Sequence, residues 1–237
     1  MGKSNERDEN MSKGIDTKGS NVPSFEKAKI LPVQDDAIRL KLYHGSEEVR
    51  EIDDIRFPGP YSKYDFGPGF YLAESRRSAE EWTLGKTGHI VNEYDFCAPK
   101  SDILYLTGEA WIRVVVGFRL RKYRVFFKSP VICGFIANDR MDISLPFFMR
   151  GEIGDQRLLQ CLDYCKLGNQ YLLRQGTECL SNHSYKVLKG IELQRAVERK
   201  GARRREMEEG LLKIRRQPIA GEKYIEDYLN KGDYHEV

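Results

Sequence analysis

The sequence predicts an α+β fold, and three observations predict it. Segments with period-two apolar alternation, which mark half-buried strands, are mixed with segments whose apolar residues recur at helical spacing. Gly and Pro clusters punctuate the strand-like runs. A chain of 237 residues with 40% apolar and 32% charged residues can build a packed core as one large domain or two small ones.

In chain order, residues 1–37 are polar, with mixed charge and one aromatic, Phe25. Such a composition buries too little apolar surface to offset the entropy of ordering, so a loosely ordered tail is expected. Arg39-Leu-Lys-Leu-Tyr-His44 alternates, which places Leu40, Leu42 and His44 on one face of a strand ending at Gly45-Ser46. Phe66-Gly-Pro-Gly-Phe-Tyr-Leu72 reads as a turn entering a short strand. Ser78-Ala-Glu-Glu81 matches a capping box and predicts a helix from Ser78 to Leu84, stopped by Gly85 and Gly88. Strands are expected over 89–97 and 103–106, then a helix over 109–119 on the spacing of Trp111, Val114, Val115 and Phe118. Strands over 123–127 and 131–136 follow, broken by Ser129-Pro130. Helices are expected over 142–150 and 155–166. The second is capped by Asp155, carries a stripe of Leu158, Cys161, Leu162 and Cys165, and exits at Gly168. Strands over 170–174 and 185–188 close the domain, which is expected to span 38–190. Residues 191–237 read as a charged helical extension.

The composition also bounds function. A net charge of +3 exerts no strong pull on nucleic acid or membranes. No stretch approaches 18 apolar residues and the N-terminus lacks an apolar signal core, so a soluble cytoplasmic protein with no membrane contact is expected. The five cysteines, with no CxxC and no histidine cluster, predict no metal site. Cys161 and Cys165 read as core residues in preference to a metal pair. Residues 191–217 hold nine Lys/Arg and five Asp/Glu, densest at Arg203-Arg-Arg205. They read as a solvated helix face in preference to a nucleic-acid contact.

Several motifs recur in a telling order. Tyr43-His-Gly-Ser46 stands at a strand end, and Phe66-Gly-Pro-Gly-Phe-Tyr-Leu72 leads into a helix with Trp82. Ile136-Ala-Asn-Asp-Arg140, Gly151-Glu-Ile-Gly-Asp155 and Leu167-Gly-Asn-Gln-Tyr171 follow. Together they resemble the ADP-ribosyltransferase superfamily in its diphtheria-toxin-like branch and, more closely, a bacterial domain family of unknown function within it. The resemblance runs from about Leu40 to Leu188.

It implies a fold of two packed antiparallel or mixed β-sheets around an NAD cleft with flanking helices. NAD would be the substrate. Catalytic roles would fall to His44, Tyr71 and Gln170, and NAD contacts to His44, Gly45, Ser46, Tyr71, Tyr61 and Arg140. Cleaving the nicotinamide–ribose bond builds positive charge on the ribose, which the pocket must stabilise. His44 would orient the ribose. Gly45 would offer its backbone to the nicotinamide amide. Tyr71 would stack on the nicotinamide ring. Tyr61 or Tyr64 would supply a second aromatic. Asn138-Asp-Arg140 reads equally as a pyrophosphate clamp or as a structural ion pair. Many family members carry glutamate where Gln170 stands. Glutamine keeps the hydrogen bond and loses the charge, a loss of about 3 kcal/mol in comparable sites. Asp139, Glu178 and Glu93 are the carboxylates that would stand in. The implied activity is transfer of ADP-ribose to a macromolecular acceptor, with a cognate inhibitor as a further expected partner. The alternatives are a non-catalytic NAD, ADP-ribose or protein-binding module, an NAD glycohydrolase, and a nucleic-acid binder built on the Arg203–Arg205 helix.

Overall fold

The computed structural model describes residues 36–57, 64–121, 124–137, 144–229 and 234–236. Residues 36–237 form one compact unit. Its elements in order are β1 (Ala37–Ser46), β2 (Phe70–Ala73), α1 (Arg76–Thr83), β3 (Ile90–Pro99), β4 (Ile103–Leu106), α2 (Gly108–Leu120), β5 (Arg124–Phe126), β6 (Val131–Phe135), α3 (Ser144–Met149), α4 (Asp155–Cys165), β7 (Asn169–Leu173), β8 (Leu180–Val187), α5 (Gly190–Arg216), α6 (Ile225–Leu229) and β9 (Tyr234–Glu236). The fold is α+β, as the mixed periodicities predict. No helix among the described residues is long and apolar enough to cross a membrane.

Seven strands make one mixed sheet in the order β4-β6-β7-β2-β1-β3-β8. Only β4 and β6 run parallel within it. A separate parallel pair joins β5 and β9. This corrects the expectation of two packed sheets around a cleft. The reason lies at the centre of the sheet, where β1 and β2 share the single pair Tyr43 with Ala73. That pair keeps the two halves in one sheet. On its far side β1 is zipped to β3 over its whole length, from Ala37 opposite Pro99 to Ser46 opposite Ile90.

The helices follow from burial more than from propensity. The Val-rich α2 buries Trp111, Ile112, Val114, Val115 and Val116 completely, so packing on several sides overrides the β-preference of its branched residues. In α4 the expected stripe of Leu158, Cys161, Leu162 and Cys165 is buried, which makes both thiols core groups. The position expected for an Asp155 side-chain cap is held by Gly154. Asp155 instead accepts from Gln156 N at 2.7 Å, Lys223 N at 3.1 Å and the Tyr228 hydroxyl at 2.7 Å. The predicted capping box in α1 is also corrected. The helix starts at Arg76 and Ser75 stands at its cap. Ser78 lies inside the buried face and donates to Leu167 O at 2.8 Å. Strand β8 begins at Leu180, five residues before the expected start at 185.

The helix α5 lies across α1 and α4. It buries Ala196, Met207 and Leu211. Arg203 of the basic run pairs with Glu81 at 3.3 Å and donates to the carbonyls of Cys165 and Lys166 at 2.8 and 3.1 Å. It therefore caps the C-terminus of α4, where a cation meets the helix dipole favourably. The chain then returns to the core through Glu222 and Tyr228. Arg157 on α4 and Glu222 form an ion pair at 2.9 Å, with side chains 5% and 1% exposed. Arg157 also reaches Arg215 O and the Tyr224 hydroxyl. Replacing Arg157 with methionine leaves the Glu222 carboxylate buried without its partner and should destabilise the protein by about 3–5 kcal/mol. Pairing that change with Glu222→Leu should recover most of the loss in denaturant unfolding.

Candidate functional site

Beside the Tyr43–Ala73 pair the sheet opens. There the Tyr71 carbonyl accepts a hydrogen bond from a side chain, His44 Nδ1, at 2.7 Å. A carbonyl cannot donate, so Nδ1 carries the proton and Nε2 of the neutral ring is left to accept. The imidazole also packs on Phe70, with ring centroids 4.6 Å apart. A cavity of about 560 Å³ occupies the opening, with His44, Gly45, Tyr71 and Gln170 in its wall.

His44 is held below the ordinary imidazole value of 6.5, at about 4, first by burial and then by the nearby charges of Lys86 and Arg50. The Tyr71 carbonyl opposes them. The native state therefore binds fewer protons than the unfolded chain between pH 4 and 6.5. The contribution of His44 is complete above about pH 6.5 and is lost as pH falls toward 4. Linkage makes the loss about 2 kcal/mol between pH 7.5 and pH 5. Unfolding measured at both pH values should show this slope reduced in His44→Gln.

Tyr71 is fixed from both ends. Its backbone lies on β2 opposite Leu172. Its hydroxyl donates to Gly67 O at 2.7 Å and accepts from Phe66 N at 2.9 Å. Burial pushes the phenol well above its ordinary value, so it is a neutral hydroxyl that ties down the loop. Gly67 takes φ +85°, a left-handed conformation that suits glycine at this turn. Tyr64 meets the Tyr71 ring edge-on at 5.4 Å and is 56% exposed at the cavity rim.

Gly45 has a packing reason to be glycine. A Cβ there would sit 2.2 Å from Ala79 O and 3.1 Å from Trp82 Cβ, on α1. Its carbonyl accepts from Lys86 Nζ at 3.0 Å, so that carbonyl already has a partner within the protein. Ser46, expected to contact the ligand, is engaged within the protein. It is 3% exposed, donates to Glu48 O and accepts from Asn92 Nδ2 at 2.8 Å. It belongs to a buried polar network with Glu48 and Asn92 at the end of β1, which occupies its hydroxyl.

Gln170 is 7% exposed on β7. Its amide nitrogen donates to Asp65 Oδ2 at 2.8 Å and to Phe135 O at 3.2 Å. Both neighbours are acceptors, which fixes the amide orientation and leaves Oε1 to accept. Trp111 Nε1 donates to the same Phe135 carbonyl at 3.1 Å and so holds it in place. Asp65 in turn receives Arg119 Nε at 2.7 Å. The chain Arg119–Asp65–Gln170 thus brings a carboxylate to the cavity wall beside Gln170.

None of the carboxylates expected to stand in does so among the described residues. Glu93 is engaged by Lys41 at 2.7 Å, away from the cavity. Glu178 lines a different hollow. Asp139 lies outside the described residues, as do Tyr61, Asn138 and Arg140. Sequence reasoning missed Asp65 and Arg119, together with Arg50, Arg56 and Lys86, which also line the cavity. Asp65 follows a tyrosine-rich stretch of sequence and Arg119 lies in the last turn of α2. Neither position carries a local signal.

The described lining therefore has four cationic side chains, one carboxylate and several aromatic faces, including Tyr64, Tyr71 and Trp82. Such a wall suits an anionic ligand carrying flat rings.

A protein-family model described as protein of unknown function (DUF3990) matches residues 40–182, more than half of the chain. No curated protein and no solved structure matches it.

Proposed function

The chain belongs to the DUF3990 family, and we propose that it is an ADP-ribosyltransferase-like protein that binds NAD, cleaves the nicotinamide–ribose bond and passes ADP-ribose to a macromolecular acceptor. The observation that carries this reading is the meeting of His44 and Tyr71 across the opening between β1 and β2, with Gln170 in the wall of the same cavity. The cations Arg50, Arg56, Lys86 and Arg119 favour a ligand with a pyrophosphate. The aromatic faces of Tyr71, Tyr64 and Trp82 suit the two ring systems of a dinucleotide.

In this reaction the bond between nicotinamide N1 and ribose C1′ breaks, and its electron pair leaves with neutral nicotinamide. Positive charge grows on the ribose until a nucleophile of the acceptor bonds to C1′ and releases its proton. Neutral His44, with Nδ1–H given to the Tyr71 carbonyl, accepts a hydrogen bond from a ribose hydroxyl at Nε2 and orients the sugar. Gln170 accepts the 2′-hydroxyl at Oε1. Behind it Asp65 supplies negative potential, reduced by the Arg119 ion pair. The expected chemistry is slow compared with a site holding a glutamate at position 170.

A second reading, a non-catalytic NAD or ADP-ribose module, is favoured by that same Arg119–Asp65 pairing, which offsets the carboxylate nearest Gln170. Incubation of the purified protein with NAD separates the two. Nicotinamide release supports the transferase. A rise in Tm with NAD and no release supports the binding module. Neither release nor a shift in Tm overturns both.

A further inference from the structure

Cys97 and Cys179 face each other at the end of the sheet remote from the cleft. The pairing of β3 with β8 sets Asp95 opposite Ser181 and Phe96 opposite Leu180. The same register carried one step further sets Cys97 opposite Cys179, where Cys97 N–H donates to Cys179 O at 2.8 Å. Directly opposed residues in such a pair have Cα atoms about 5.5 Å apart and side chains on one face. That spacing lies inside the range of roughly 4.4–6.8 Å that a disulfide spans. Both residues line one shallow hollow of about 210 Å³. Cys97 is exposed and Cys179 half-buried, whereas Cys133, Cys161 and Cys165 are buried. Arg39 donates a hydrogen bond to Cys97 Sγ and sets a cation beside the more accessible sulfur.

We propose that Cys97 and Cys179 are a reversible redox site, forming a cross-strand disulfide that fastens the turn before β8 to the end of β3. The oxidant is a low-molecular-weight disulfide. The Cys97 thiolate attacks one sulfur of that molecule, whose S–S bond breaks and releases one small thiolate. The Cys179 thiolate then attacks Cys97 Sγ and displaces the second. The two protons from the protein thiols end on the two small thiols, so the protein loses two electrons and the small disulfide gains them. The bridge closes a loop of about 80 residues that contains β4, α2, β6 and β7, and such a closure restrains the unfolded chain. Cys97 pairs with Arg39, whereas the cleft end of β1 pairs with Ile90–Asn92. The bridge therefore changes stability and leaves the cavity wall in place.

The test exposes the full chain to oxidised glutathione, caps remaining thiols with iodoacetamide, and reads intact mass and a non-reducing peptide map. The expected result is a loss of about 2 Da before capping, two fewer capped thiols than in the reduced chain after it, and one linked peptide joining Cys97 to Cys179, reversed by dithiothreitol. Tm should rise by roughly 5–10 °C on oxidation. C179S should instead hold a glutathione adduct on Cys97, and C97S should give no bridge. Wild type with both thiols still open to iodoacetamide, or with a stable adduct on Cys97 beside an alkylated Cys179, would overturn the proposal.

Discussion

Replacing His44 with alanine should lower nicotinamide release from NAD by about 10²- to 10³-fold, the usual loss when one preorganised polar group is removed from a reacting centre. The imidazole bridges the opening between β1 and β2, with Nδ1–H spent on the Tyr71 carbonyl and Nε2 left to accept, in the proposed role from the sugar. It sits at the cavity wall and not in the main core, so folding should survive. Tyr71→Ala should match it in effect, because the ring is lost together with the hydroxyl that ties Phe66 N and Gly67 O. Tyr71→Phe keeps the ring and should raise KM for NAD more than it lowers kcat. Release at the wild-type rate from both alanine variants, with the fold intact by circular dichroism, would remove His44 and Tyr71 from the mechanism.

Gln170→Glu should raise the release rate by about 10²-fold, and the gain should grow with pH. The new carboxylate would stand about as close to Asp65 Oδ2 as the present amide nitrogen does, at 2.8 Å. Two carboxylates so close share a proton and one of them titrates high. The variant therefore works as an anion only after that proton leaves. It also gives up one of the donors to Asp65 and to Phe135 O, so stability should drop by about 1–3 kcal/mol. A pH–rate profile from 6 to 9 beside a denaturant curve reads both effects. A folded variant with no gain at any pH would mean that charge at this position does not limit the rate.

The local grammar of the chain was legible. Leu40, Leu42 and His44 alternate, and they form β1. Leu158, Cys161, Leu162 and Cys165 recur at helical spacing, and they form the buried face of α4. These patterns depend on neighbours within one or two turns, and periodicity reports such neighbours directly. The motifs around His44, Tyr71 and Gln170 were legible too, and the fold sets all three in one cavity wall.

What escaped the sequence depends on distant partners. Ser78 reads as a cap, yet its hydroxyl answers the Leu167 carbonyl, 89 positions away. Ser46 adjoins the motif, yet its hydroxyl is taken up by Asn92, 46 positions away, and by the Glu48 carbonyl. Asp65 meets Arg119 across 54 positions and Gln170 across 105. No periodicity links residues so far apart.

The sequence by itself determined most strands and helices up to residue 188, but not strand β9 (Tyr234–Glu236), which lies in a segment read as helical. Only the tertiary structure decided that the strands make one sheet joined at Tyr43–Ala73, that a carboxylate stands behind Gln170, and that Arg203 caps a helix. The physical reason is range. Backbone periodicity is written in adjacent residues, whereas desolvation and ion pairing act between whatever groups the packed core brings within a few ångströms.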